Sequence, residues 1–153
     1  MRKHANGSKG DLRSTLAELK SAKLEVDEVD DELSKRIALA EKALAKLKLG
    51  VRISVELAAK GNWAQFLAFD KYGNRWRLVI EEGPDDGGEP DDWQCTPLSD
   101  TNREMRAQAF ERLPELLEAG IQQIRNYAKQ RRELLAQADA LLAVLASETA
   151  GEE

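Results

Sequence analysis

Residues 51–57, VRISVEL, alternate apolar and polar side chains one by one, whereas the stretch before them, Asp11 to Leu49, repeats in steps of four and three. That change of period decides the fold. An alternation of two places every second side chain on one face of a strand, and a mean step of 3.5 places one stripe along a helix. The chain therefore leaves a long helix and enters a sheet at about Gly50.

On the helical side, Leu12, Leu16, Leu19, Val26, Leu33, Ile37, Ala40, Leu44 and Leu47 form the apolar row, with Lys23 and Asp30 as its polar members. No Gly or Pro interrupts residues 11–49. Such a heptad row is a coiled-coil signal. Gly50 is expected to end the helix, with Lys46 and Lys48 suited to the negative end of its dipole.

On the strand side, the sheet is expected over residues 51–82. Val51–Leu57, Trp63–Asp70 and Arg75–Glu81 read as strands, joined by turns at Ala59-Lys60-Gly61-Asn62 and Lys71-Tyr72-Gly73-Asn74. Short Gly-Asn turns force antiparallel neighbours, so the order is a meander. Residues 83–92 read as an acidic loop, and Trp93–Thr96 as a short edge strand. Thr101 followed by Glu104 fits a capping box that opens a helix. Pro114 is expected to kink or break that helix, because proline lacks the N–H and clashes with the preceding turn. Beyond it a second row follows: Leu117, Ile121, Ile124, Ala128, Arg131, Leu135, Ala138, Leu142, Leu145.

The fold class expected is thus α+β. A long antiparallel helical hairpin, a coiled coil, carries a three- to four-stranded antiparallel β-meander between its helices. Residues 1–10 and 148–153 are expected as disordered tails around a single domain at 11–147. In the register chosen, Leu44 faces Leu117, Ala40 faces Ile121, Ile37 faces Ile124, Leu33 faces Ala128, Val26 faces Leu135, Leu19 faces Leu142 and Leu16 faces Leu145. Asp30, an intruder in the first row, then meets Arg131, the charged intruder in the second. The acidic run around Asp27–Glu32 lies beside Lys129, Arg131 and Arg132, and the basic run Lys42, Lys46, Lys48 lies beside Glu111, Glu115 and Glu118. Charge matching of this kind selects partner and register. The same register fits pairing within one chain or between two chains, and the compact insert favours one chain.

Composition bounds the function. A third of the 153 residues are charged and only 5% are aromatic, which suits an elongated helical protein more than a thick core. The net charge of −5 argues against general binding of nucleic acid or anionic membrane. The single cysteine, Cys95, makes no internal disulfide and points to a reducing compartment, the cytoplasm. Its simplest role is a small packed hydrophobe. The only histidine, His4, stands in a polar start, so His-based catalysis and His-ligated zinc are not expected. Residues 1–10 lack the apolar run of a signal peptide. No stretch approaches the roughly 18 apolar residues of a membrane span.

The acidic stretch, Glu81, Glu82, Asp85, Asp86, Glu89, Asp91 and Asp92, is dense enough in carboxylates to suggest Ca²⁺. Its spacing does not fit an EF-hand, so a solvated loop is the simpler reading. Arg75, Trp76 and Arg77 interleave basic and aromatic groups as single-strand binders do. The simpler reading points Trp76 inward and the arginines to water. Both sheet faces carry large apolar groups. With a two-residue first turn, one face is expected to gather Val51, Ile53, Val55, Leu57, Phe66, Trp76, Leu78 and Ile80, and one of the two faces to pack on the helices. The other holds Trp63, Leu67, Phe69, Arg75, Arg77 and Val79, the candidate partner surface; whichever face does not pack on the helices is either covered by the helix through Met105 and Phe110 or free. A one-residue change in the first turn would move the whole first strand to the opposite face.

The helix–meander–helix order is similar in outline to that of prefoldin subunits, and the similarity covers topology only. Three function classes follow. The leading expectation is a non-enzymatic interaction or scaffold protein that engages a protein partner or forms a homo-oligomer. A prefoldin-like, ATP-independent holdase is the alternative that the resemblance implies. A nucleic-acid-binding accessory role ranks third. No catalytic residue, cofactor or metal is expected.

Overall fold

A computed structural model describes residues 2–85 and 92–151, with side chains from residue 9 onward. It is an α+β fold with three helices and a four-stranded antiparallel sheet. Helix α1 (Arg2–Lys46) is followed by strands β1 (Ile53–Lys60), β2 (Trp63–Tyr72), β3 (Arg75–Pro84) and β4 (Gln94–Pro97). A 3₁₀ turn (Leu98–Asp100), α2 (Arg103–Glu111) and α3 (Leu113–Ala150) complete the chain.

Several boundaries differ from the expected ones, and at the C-terminal end α3 runs on through residues 148–150, part of the expected tail. Residues 2–10 are the first turns of α1 rather than a tail. Gly7 and Gly10 weaken a helix by about 1 kcal/mol each relative to Ala, but neither removes a backbone donor as proline would. At the other end α1 stops at Lys46, before Gly50. Leu47 and Lys48 donate to the carbonyls of Leu44 and Ala45, and Lys48 itself takes a positive φ of 50°. At α2 the cap is Asn102, whose Oδ1 accepts from the Met105 N–H at 2.8 Å. Thr101 instead donates to the Leu98 carbonyl and closes the 3₁₀ turn. The helix break falls at Arg112, so that Pro114 sits in the first turn of α3, where its missing N–H costs nothing.

The strands run in the order β1-β2-β3-β4. Gly61 and Gly73 open the two hairpin turns with φ of 61°, a conformation that a side chain would strain. The β2–β3 turn pairs Tyr72 with Arg75, which places Phe69 opposite Leu78 and Leu67 opposite Ile80. A bulge between Glu56 and Ala58 then pairs Ile53 with Phe69 and Val55 with Leu67. The core cluster accordingly joins Ile53, Leu57, Leu67, Phe69, Leu78 and Ile80 of the sheet to Ile37 and Leu44 of α1, Leu98, Ala109 of α2 and Leu116 of α3. The expected face assignment is corrected for β2: Leu67 and Phe69 point to the helices, and Phe66 lies on the other face with Glu56 and Glu81.

The helices dock on different parts of the sheet. Helix α3 packs on β1, and α1 packs on β3, α2 and the 3₁₀ turn. The reason is local. Gly120 leaves a gap in α3 where the Ile53 side chain seats, since a Cβ there would lie 3.0 Å from it. This turns Leu116 and Gly120 to the sheet, while Leu117 and Ile121, expected against Leu44 and Ala40, are exposed. Farther out, Leu16, Leu19, Leu142 and Leu145 are 50–64% exposed and form no seam layers in the folded chain. Asp30 faces Arg103 of α2 at 3.2 Å instead of Arg131, which is exposed.

Candidate interaction surfaces

The six residues expected on one partner face are divided by the sheet. Leu67 and Phe69 are fully buried among the helices, and Val79, on the opposite face, is fully buried as well. These three contribute no surface. Trp63 is 44% exposed and pairs with Pro84 at one end of the strands, whereas Arg75 is exposed beside the Gly73 turn at the other. Arg77 is engaged: its Nε lies 3.4 Å from Glu41 of α1 and its Nη2 donates to Ser99 at 2.9 Å. Glu41 also accepts from the Leu78 N–H at 3.0 Å, where β3 extends past the end of β4. Met105, Ala109 and Phe110 pack on the inner core, so α2 does not cover the outer face. Trp93 covers one end of that face instead. Its indole lies so close to Gly83 that a Cβ there would overlap it, and its ring centroid is 6.0 Å from Phe66.

The outer face carries a charged cluster that the linear sequence did not single out. Arg52 donates to both oxygens of Glu81 and to Ser54, and lies 3.5 Å from Asp70. Burial works against the charge of Arg52, but its bond to Glu81 and the charges of Glu81 and Asp70 outweigh it and raise its pKa. Cys95, expected as a packed hydrophobe, is instead exposed on the edge strand, where it pairs with Glu81 across β3 and β4 and is only partly screened from solvent. Burial pushes its thiol up, the carboxylates of Glu81 and Asp70 push further, and Arg52 opposes them. A protonated thiol beside two carboxylates is a poor nucleophile, since the thiolate is the reactive form. The register finds this cluster only once β1, β2, β3 and β4 are aligned, because Asp70, Glu81 and Cys95 are 18 or more positions from Arg52 in the chain.

Among the described residues, no group of three or more His, Cys, Asp or Glu side chains is placed to hold a metal ion. The expected acidic loop falls partly outside the described residues, which exclude Asp86, Glu89 and Asp91, while Gly83 and Pro84 belong to β3. A shallow groove between α1 and β3, lined by Glu41, Lys42, Arg75, Trp76 and Arg77 among others, sets cationic, anionic and aromatic groups side by side. Among the described residues, no helix is long and apolar enough to cross a membrane.

Among the described residues, most of the exposed large apolar side chains lie on α1 and α3. Leu12, Leu16, Leu19 and Val26 continue the stripe of α1 that enters the core at Leu33 and Ile37. On α3, Leu134, Leu135, Leu141, Leu142 and Leu145 form a broad band. The charges beside the two bands differ in sign. Residues 24–32 of α1 hold six carboxylates and no basic residue, and residues 125–132 of α3 hold four basic residues and no carboxylate. Among the described residues, Arg125, Lys129, Arg131 and Arg132 take part in no ion pair. Arg103 partly offsets the acidic segment by bridging Asp27 at 3.1 Å and Asp30 at 3.2 Å. No protein-family model, curated protein or solved structure matches the chain.

Proposed function

We propose that the protein works without catalysis, as an interaction or scaffold protein whose two helical arms enter coiled-coil contacts beyond the sheet. One observation carries this reading: both arms expose leucine rows at heptad spacing, with Leu19 64% and Leu142 61% exposed. Leaving such rows in water forgoes about 1.5–3 kcal/mol per side chain that burial would return. A contiguous exposed apolar band of this length marks an interaction surface. The sheet body anchors the arms, because Glu41 ties α1 to β3 and Gln123 ties α3 to β1. The thiol state of Cys95 suits a cytoplasmic setting.

The test uses the full chain and a variant with Leu16→Gln, Leu19→Gln, Leu142→Gln and Leu145→Gln. The unaltered chain is expected to retain a defined protein at fixed stoichiometry when recovered from its host, and the variant to lose it at unchanged melting temperature of the sheet body. An identical set of bound proteins for both chains would overturn the reading. The same exposed rows support the holdase as a second reading. It differs in outcome: many unfolded clients bound without fixed stoichiometry, and aggregation suppressed without ATP.

A further inference from the structure

We infer that the occupant of the arms is a second copy of this chain, with α1 of one copy lying antiparallel on α3 of the other and the reverse pair completing a two-fold dimer. The inference rests on the coiled-coil reading of the arms above and names the partner. It starts from complementarity within one sequence. With Leu19 opposite Leu142 and Val26 opposite Leu135, the exposed seam stops short of Asp30, whose carboxylate is already engaged by Arg103. The residues that flank these layers match as well. In an antiparallel pair, the position following the seam on one helix meets the equivalent position on the other. Lys20 then meets Asp139 and Asp27 meets Arg132, opposite signs with the order reversed between the two pairs. On the other flank Val29 meets Leu134 and Ala22 meets Leu141, so these two layers are apolar. Val29, Leu134 and Leu141 are 54–65% exposed in the single chain.

The complement that α1 requires is therefore carried by α3, yet the two are not joined along these arms in one chain. Each helix is held to its own part of the sheet: α1 by Glu41 on Leu78 and Arg77, α3 by Gln123 on Ser54 and by Gly120 on Ile53. A second copy satisfies both arms at once. A two-fold axis uses the same surface twice and closes, leaving no free row to extend into a filament. The two charged matches also disfavour a parallel α1–α1 pair, which would bring the acidic segments together.

The experiment mixes two single-cysteine chains in a Cys95→Ser background, one with Leu19→Cys and one with Leu142→Cys. Oxidation is expected to link one chain of each kind at dimer mass, and Leu19→Cys mixed with Leu135→Cys, one heptad out of register, is expected to link far less. Sedimentation of the unaltered chain should give a dimer. Because every charge pair occurs twice in the dimer, Lys20→Glu should weaken association by about ten-fold, and Lys20→Glu with Asp139→Lys should restore it. Three results would overturn the inference: a monomer with no cross-link, Leu19→Cys chains linking only to one another, or a disulfide within a single chain when both cysteines are placed in it. A monomer that still loses a bound protein on the four Leu→Gln changes would leave the interaction reading standing and remove only the second copy. A cross-linked dimer that binds no other protein would confine that reading to self-association.

Discussion

The side chain of Gln123 occupies the place of a strand beside Ser54. Its Nε2 donates to the Ser54 carbonyl at 2.8 Å and its Oε1 accepts from the Ser54 N–H at 2.9 Å. Ser54 lies on β1, the edge strand, whose outward backbone groups would otherwise template another strand. Arg112 extends the protection by donating to the Glu56 carbonyl at 3.0 Å. Gln123→Ala should cost about 1–3 kcal/mol in urea unfolding, because two partly buried backbone groups lose their partner. Gln123→Glu should be at least as harmful, since a carboxylate cannot donate to the carbonyl. Hydrogen exchange at the Ser54 amide should accelerate in Gln123→Ala, which removes its acceptor, and an unchanged exchange rate there would refute the role.

Glu41 does the corresponding work at the other side of the sheet. It satisfies the Leu78 N–H and pairs with Arg77, and both side chains are about one-fifth exposed. Glu41→Ala should therefore cost more than Arg77→Ala, by about 1 kcal/mol, because only the former leaves a buried backbone donor unpaired. Equal losses in the two variants would show that the ion pair, and not the backbone contact, matters.

Gly120 should tolerate no side chain without adjustment of β1. A Cβ there would lie 3.0 Å from two carbons of Ile53. Gly120→Ala gains helix propensity, worth about 1 kcal/mol, but meets an overpacking cost of about 1–3 kcal/mol. A net loss is expected, partly recovered by Ile53→Val, which removes the Cδ1 contact. Additive effects in the double-mutant cycle would place the two residues out of contact.

Cys95 sets an alkaline limit. Its folded pKa lies above the ordinary value of 9.0, through burial first and the Glu81 and Asp70 charges next. The folded state therefore holds the thiol proton more tightly than the unfolded state. This contribution to stability is complete below the ordinary value and is lost as pH rises through the folded pKa. Iodoacetamide labelling in the folded chain should show a midpoint above that of a free thiol. Glu81→Gln should move the midpoint down, and an unshifted midpoint in the unaltered chain would refute the assignment.

Much of the architecture is legible from local signals. The switch of period at Val51, the Gly-Asn turns at Gly61 and Gly73, and proline at 114 place three strands and divide the C-terminal helical segment. The phase of β2 against β3 was also available in principle. A two-residue turn at Gly73-Asn74 forces Tyr72 opposite Arg75, and counting back puts Leu67 opposite Ile80. Grouping Leu67 and Phe69 with Arg75, Arg77 and Val79 overlooked that count. The bulge at Leu57 was not available, because nothing in AAKGN marks where an extra residue is absorbed.

By itself the sequence determined where the chain is helical and where it is extended, since the period of apolar residues and the φ demanded at Gly61 and Gly73 are local properties. Only the tertiary structure decided which stripe of each helix is buried and which charges meet. Ile53 fits against Gly120 and not against Ile121, so α3 turns Leu116 to the sheet and leaves Leu117 outside. Asp30 meets Arg103 because α2 is folded back against α1. A heptad row states that a face is apolar. What lies opposite that face depends on shape and distance between elements far apart in the chain, and a shift of one residue in a strand or about a third of a turn in a helix exchanges inside for outside.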